Sequence, residues 1–71
     1  MEQQLPFVSI VMPIRNEADF IGKAIESILE NDYPDDKLEV IVVDGMSNDG
    51  TRRIVNEICE RNNQVYLLNN P

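Results

Sequence analysis

Histidine is absent from this chain of 71 residues, and cysteine occurs once, at Cys59. Without a second thiol no intrachain disulfide can form, and without imidazole the segment has neither a zinc-type ligand set nor a histidine general base. Any metal held here would be a hard cation on carboxylates and carbonyls, of the Mg2+ or Mn2+ kind. Basic residues are scarce as well: six Lys and Arg stand against 13 Asp and Glu, a formal charge of -7. That balance repels phosphate backbones and leaves no cationic stripe for counterion release, so nucleic acid is not expected as a partner. Long hydrophobic runs are missing too. Nothing approaches the ~20 apolar residues that span a bilayer, and the first residues lack the basic flank and apolar stretch of a secretory signal. The expectation is a soluble chain in the cytoplasm.

What is present is a globular composition, 42% hydrophobic and 27% charged, which argues for a packed core rather than disorder. A chain this short buries only about 60% of the surface its unfolded form exposes, so its stability alone is expected to be marginal. Phe7 to Met12 is nearly unbroken apolar sequence, read as a strand that Pro13 ends. From Asn16 the spacing changes. Phe20, Ile21, Ala24, Ile25, Ile28 and Leu29 form a helical stripe, with Asn16 as N-cap and Glu17 and Asp19 in the first turn. The helix should stop near Asn31, ahead of Tyr33-Pro34. Leu38 to Val43 is the most strand-like run, and its four consecutive β-branched residues, Val40 to Val43, predict a central parallel strand buried on both faces. Ser47 or Asp49 can cap a second helix with Ile54, Val55, Ile58 and Cys59 on its buried stripe. Gln64 to Leu68 reads as a third strand.

The fold class is therefore α/β, with two right-handed βαβ crossovers and a parallel three-stranded sheet. In the order 3-2-1 both helices lie on one face. The other face then has no cover from this chain and the first strand has an open edge, which predicts an incomplete unit or one that pairs with further copies. Two loops should meet at the carboxyl edge, where open parallel sheets bind ligands: Pro13-Ile14-Arg15-Asn16-Glu17 and the acidic Asp44-Gly45-Met46-Ser47-Asn48-Asp49-Gly50-Thr51.

Asp44, at the strand's end, can accept hydrogen bonds from a ligand N–H or from ribose hydroxyls, or can start a turn and cap local backbone N–H groups. Gly45 and Gly50 read as positive-φ positions of a tight connection. Arg15 can meet a phosphate or pair with Glu17 or Asp19; Glu17 can meet a ribose or favour a helix start. Cys59 reads as core. Sharper motifs fail. Setting Gly50 at the glycine of a calcium loop puts Gly45 and Asn56 where charged ligands are needed. Gly22-Lys23 lacks the upstream glycine and the following Ser/Thr of a P-loop, and no Gly-x-Gly-x-x-Gly follows either of the first two strands.

Together, Val8-Ser9-Ile10-Val11-Met12-Pro13-Ile14-Arg15-Asn16-Glu17 and Val42-Val43-Asp44-Gly45-Met46-Ser47-Asn48-Asp49-Gly50-Thr51 resemble the start of a family 2 glycosyltransferase with the GT-A fold. Tyr33-Pro34 before the second strand also matches. The resemblance implies that residues 1–71 are the N-terminal, Rossmann-like βαβαβ half of such a domain, with the remainder of a parent enzyme beyond it. It implies an inverting, metal-dependent enzyme that moves a sugar from a nucleotide sugar, most often a UDP-sugar, to a glycan or lipid-linked acceptor. Asp44 would meet the base, and Pro13, Arg15 and Glu17 would line the nucleotide pocket. The family often has a second acid where Gly45 stands and a glycine where Met46 stands. This departure resembles enzymes of bacterial exopolysaccharide and cell-wall glycan assembly. The Mg2+ or Mn2+ of the full-length enzyme is held by a downstream Asp-x-Asp motif, and the acid that deprotonates the acceptor is downstream too. Residues 1–71 alone are thus expected to be catalytically silent. The parent would work in the cytoplasm or at the cytoplasmic face of a membrane.

A rival reading is a non-catalytic α/β interaction or signalling module that oligomerises through its bare sheet face. A receiver-like version needs further acids after the first strand and a late lysine; the first loop offers only Glu17 and Asp19, and the last lysine is Lys37.

Overall fold

The β-branched run from Val40 to Val43 forms the middle of the sheet in the computed structural model, which describes residues 5–70. The elements follow one another as β1 (Val8–Ile14), α1 (Ile21–Leu29), β2 (Leu38–Asp44), α2 (Thr51–Arg61) and β3 (Val65–Asn69), with a single 3-10 turn at Asp35–Lys37 ahead of β2. All pairings are parallel and the spatial order is β1-β2-β3, the 3-2-1 arrangement expected.

Side chains alternate along β2. Leu38, Val40, Val42 and Asp44 are buried, while Glu39, Ile41 and Val43 between them are half-buried. Ile21 and Ile25 of α1 and Val55 and Ile58 of α2 close over Val40, Val42 and Val65. Each such side chain, fully buried, contributes about 1.5–3 kcal/mol through apolar area removed from water. Both helices therefore cover the same face. On the opposite face Val11, Tyr66 and Leu68 are exposed around Ile41, and the Ser9 hydroxyl donates to Glu39 at 2.5 Å. The expectation that β2 is buried on both faces is thus corrected: a run of β-branched residues reports a central strand, and its second face is only as covered as its neighbours make it.

Three further expectations shift. Pro13 lies inside β1 rather than ending it, paired in register with Val43. The Ile14 carbonyl faces β2, where it accepts from Gly45 N–H, so the alternation of a parallel strand turns Pro13 toward the free edge, where a missing N–H costs no ladder bond. Asn16 does not cap α1. The chain first makes a tight turn in which Phe20 and Ile21 N–H both donate to the Glu17 carbonyl, and α1 begins only at Ile21, with no acid in its first turn. Phe20, assigned to the buried stripe, is exposed for the same reason. Tyr33 has a local use: its hydroxyl donates to the Pro6 carbonyl, and Lys37 Nζ donates to the Leu5 carbonyl at 3.1 Å, tying the segment before β1 to the approach to β2.

Candidate functional site

Parallel register sets Ile14 beside Asp44 and Asp44 beside Asn69, so three strands end level. Gly45 N–H donates to the Ile14 carbonyl and Asn70 N–H to the Asp44 carbonyl, each at 2.8 Å. The end of β2 is held from both sides, and the two loops leave one edge.

Asp44 does not project openly from that edge. Its position in the alternation sends it to the helix-covered face, and its own loop folds back over it, leaving the side chain 0% exposed. Ser47 N–H donates to Oδ2 at 3.1 Å, the Ser47 hydroxyl donates to Oδ1 at 2.5 Å, and Arg52 Nε stands 3.5 Å from Oδ2. An ionised carboxylate buried this completely requires partners, and here all are supplied within eight residues. The turn-capping role of Asp44 is realised in the folded chain.

The loops are joined to one another. Asn16 N–H donates to Ser47 Oγ at 2.8 Å, Asn48 N–H to Asn16 Oδ1 at 2.9 Å, Glu17 N–H to Thr51 Oγ1 at 2.9 Å and Ala18 N–H to Asp49 Oδ2 at 3.3 Å. Asp49 Oδ1 also accepts from Thr51 N–H at 2.9 Å and from the Thr51 hydroxyl, so Asp49 satisfies a free N–H at the start of α2 although Gly50 occupies the N-cap position itself. These bonds, the hydroxyl of Thr51 foremost, hold the Asp49 carboxyl below its ordinary pKa. Thr51, fully buried, is the post to which both loops are tied.

The left-handed positions are not the glycines. Asn16 has φ 51° and Met46 has φ 62°, while no glycine has positive φ. A Cβ on Gly45 would sit 3.4 Å from the Ile14 carbonyl oxygen, ordinary contact, so neither close approach nor dihedral demands glycine there. Asparagine tolerates this conformation better than most residues, and the Asn16 side chain is held in it by Asn48 N–H from the other loop. Met46, whose side chain is exposed, has no such compensation and carries strain on the order of 1 kcal/mol. Met46→Gly is expected to raise the melting temperature by a few degrees, the strain relieved exceeding the added entropy of the unfolded chain. A lower melting temperature in thermal denaturation would contradict the strain.

Pro13 and Glu17 share a shallow cleft of about 200 Å³ with Met12, Phe20, Ile21 and Ala24, along the free edge of β1. Arg15 stands on the other side of the loop, its Cβ 3.8 Å from the place a Gly45 Cβ would take, and among the described residues it makes no ion pair with Glu17 or Asp19. Asp44 lies beneath the second loop and does not line the cleft. The fold therefore joins the two loops into one unit but does not converge the four candidate side chains on a single cavity. Among the described residues, no three acidic or cysteine side chains gather closely enough to hold a metal, so these residues by themselves do not fit a divalent cation. Arg52 was not singled out in the sequence. The available signal was a cation in the first turn of α2, where the helix dipole disfavours it unless an acid is adjacent.

An open parallel α/β unit whose loops leave the carboxyl edge of the sheet is of the Rossmann-like class. The particular family follows from comparison: the chain belongs to Glycosyl transferase family 2, whose model matches residues 9–71. It is 38% identical over 68 residues to the glycosyltransferase AglE of Haloferax volcanii, covering 96% of this chain and 22% of that protein. It is 40% identical over 68 residues to the putative teichuronic acid biosynthesis glycosyltransferase TuaG of Bacillus subtilis, covering 92% and 26%. Among solved structures it resembles the mannosyltransferase PcManGT of Pyrobaculum calidifontis in complex with GDP-Man and Mn2+, with 42% identity, a TM-score of 0.78, and coverage of 92% of this chain and 19% of that one. The sheet and its two helices are the Rossmann-like βαβαβ part of the GT-A fold. The chain spans about a fifth to a quarter of the length of these relatives.

Proposed function

We propose that residues 1–71 form the N-terminal, donor-nucleotide-binding part of a glycosyltransferase that moves a sugar from a nucleotide sugar to a glycan or lipid-linked acceptor. The observation that carries this reading is the pair of hydrogen-bonded loops at the carboxyl edge, in a chain 42% identical to a mannosyltransferase solved with GDP-Man and Mn2+. Pro13 and Glu17 offer the nucleotide a wall along β1, Arg15 a cation for phosphate that has no ion pair among the described residues, and Asp44 an acceptor for the base. Asp44 becomes available when Arg52 moves aside: its side chain is 48% exposed and its Nε lies at 3.5 Å, whereas the Ser47 donors are held by the loop itself.

Uracil and guanine both present a ring N–H that a carboxylate accepts. The family resemblance favours uracil, and the GDP-Man complex of the mannosyltransferase favours guanine. A divalent cation, Mg2+ or Mn2+, belongs to the same proposal, with its ligands outside the described residues, and so does a location in the cytoplasm or at the cytoplasmic face of a membrane. Residues 1–71 are assigned binding and not proton transfer. Calorimetric titration of the full-length protein with UDP-sugars and GDP-sugars in Mn2+ is expected to give saturable binding to one base class. Absence of binding to either would overturn the reading.

A further inference from the structure

We propose that Ser47 is a positioning residue which couples the carboxylate of Asp44 to the Pro13–Glu17 loop, so that the base contact and the loop at the other side of the site act as one. This rests on the donor-binding reading above. Ser47 Oγ lies between two partners that belong to different loops. It accepts from Asn16 N–H at 2.8 Å and donates to Asp44 Oδ1 at 2.5 Å. A hydroxyl has a single proton, and a backbone N–H can only donate; the direction Asn16 N–H to Ser47 O–H to Asp44 carboxylate is therefore fixed. Each bond in such a series polarises the next, and the last one ends on a charge.

The geometry closes into a ring. Asn48 N–H, next to Ser47, returns to Asn16 Oδ1 at 2.9 Å, and Ser47 N–H reaches Asp44 Oδ2 at 3.1 Å. Asn16 is held at φ 51° inside this ring, and its neighbours Arg15 and Glu17 take their directions from it. The requirement at position 47 is for one side chain that donates and accepts at once. Alanine does neither. Threonine does both, and Ser47 is free of the positive φ that would penalise a β-branched residue. Of the partners of Asp44, Arg52, an ion pair at 3.5 Å, is the one a ligand N–H replaces, while the Ser47 donors stay and set the carboxylate's direction.

The test compares Ser47→Ala, Ser47→Thr, Asp44→Asn and the double variant S47A/D44N in the full-length protein. Nucleotide-sugar affinity is read by calorimetry and the folded fraction by circular dichroism. Ser47→Ala is expected to weaken donor binding by about tenfold to a hundredfold, the range for a lost charge-assisted hydrogen bond with its partner left unpaired. Ser47→Thr is expected to stay within about threefold of wild type, and Ser47→Ala to add less than about threefold in the D44N background, because its effect passes through Asp44. A merely structural serine would cost the same in both backgrounds and would lower melting temperature without this pattern. Wild-type affinity in a folded Ser47→Ala protein, or equal losses in both backgrounds, overturns the inference while the donor-binding reading stands. Affinity indifferent to Asp44→Asn removes Asp44 from the site and overturns the role of Ser47 with it, whereas only absence of binding to either base class overturns the donor-binding reading itself.

Discussion

Asp44→Asn in the full-length protein is expected to weaken nucleotide-sugar binding by about tenfold to a hundredfold while leaving the protein folded at 25 °C. Asp44 is buried at 0% exposure with both Ser47 donors and Arg52 around it. Truncation to alanine would strip every one of these bonds and leave the Ser47 hydroxyl and amide without partners, at about 1–3 kcal/mol each, so function and stability would fall together. Asparagine keeps the volume and one acceptor oxygen. It removes the charge and turns an N–H2 toward groups that are themselves donors, so the contact a ligand N–H would make loses its charge-assisted character, worth about 1.5–3 kcal/mol. Calorimetry gives the affinity, and a thermal melt gives the folded fraction of the same sample. Unchanged affinity in a folded Asp44→Asn protein would remove Asp44 from the site and leave it as a turn residue only.

Ile25→Ala is expected to have the largest effect on stability. Ile25 is 0% exposed and packs in the cluster that holds Val40, Val42 and Val55. Removing that much buried volume costs about 2–5 kcal/mol. Set against the roughly 5–15 kcal/mol that holds a typical domain folded, the loss is a large part. The melting temperature of the full-length protein should drop by about 5 °C or more. Phe20→Ala serves as the contrast. Phe20 was on the same helical stripe in the sequence, yet it is 68% exposed, and its truncation should cost no more than about 0.5 kcal/mol. Similar losses for the two variants, measured by thermal and denaturant unfolding, would contradict the placement of the core.

The fold was legible because its signals are strong and local. The apolar run from Phe7 to Met12, the β-branched run from Val40 to Val43, and stripes that include Ile21, Ile25, Ile54 and Ile58 specify strands and helices whose alternation leaves little choice of topology. Element starts were less legible. Asn16 has the composition of a helix cap, but its actual partners are Ser47 and Asn48, more than 30 residues away, and no local rule contains them. The same holds for Thr51, whose hydroxyl accepts from Glu17 N–H, again more than 30 residues away. Glycine was misleading in a definite way: Gly45 and Gly50 suggested the positive-φ positions, whereas the chain places them at Asn16 and Met46. In the site, residue types were readable and directions were not. The alternation of β2 sends Asp44 toward the helices, and only the folded chain shows that Ser47 and Arg52 enclose it there.

The central claim is that the Pro13–Glu17 loop and the Asp44–Thr51 loop form one donor-binding unit. The most direct measurement is an amide-resolved NMR titration of the full-length protein with UDP and with GDP, each in the presence of Mg2+. The account predicts that one nucleotide shifts the amides of Arg15, Asn16 and Glu17 together with those of Gly45 to Asn48, with a common dissociation constant, because Ser47 and Thr51 link the two loops. Shifts confined to residues outside both loops, or loops that respond with different constants, would contradict it.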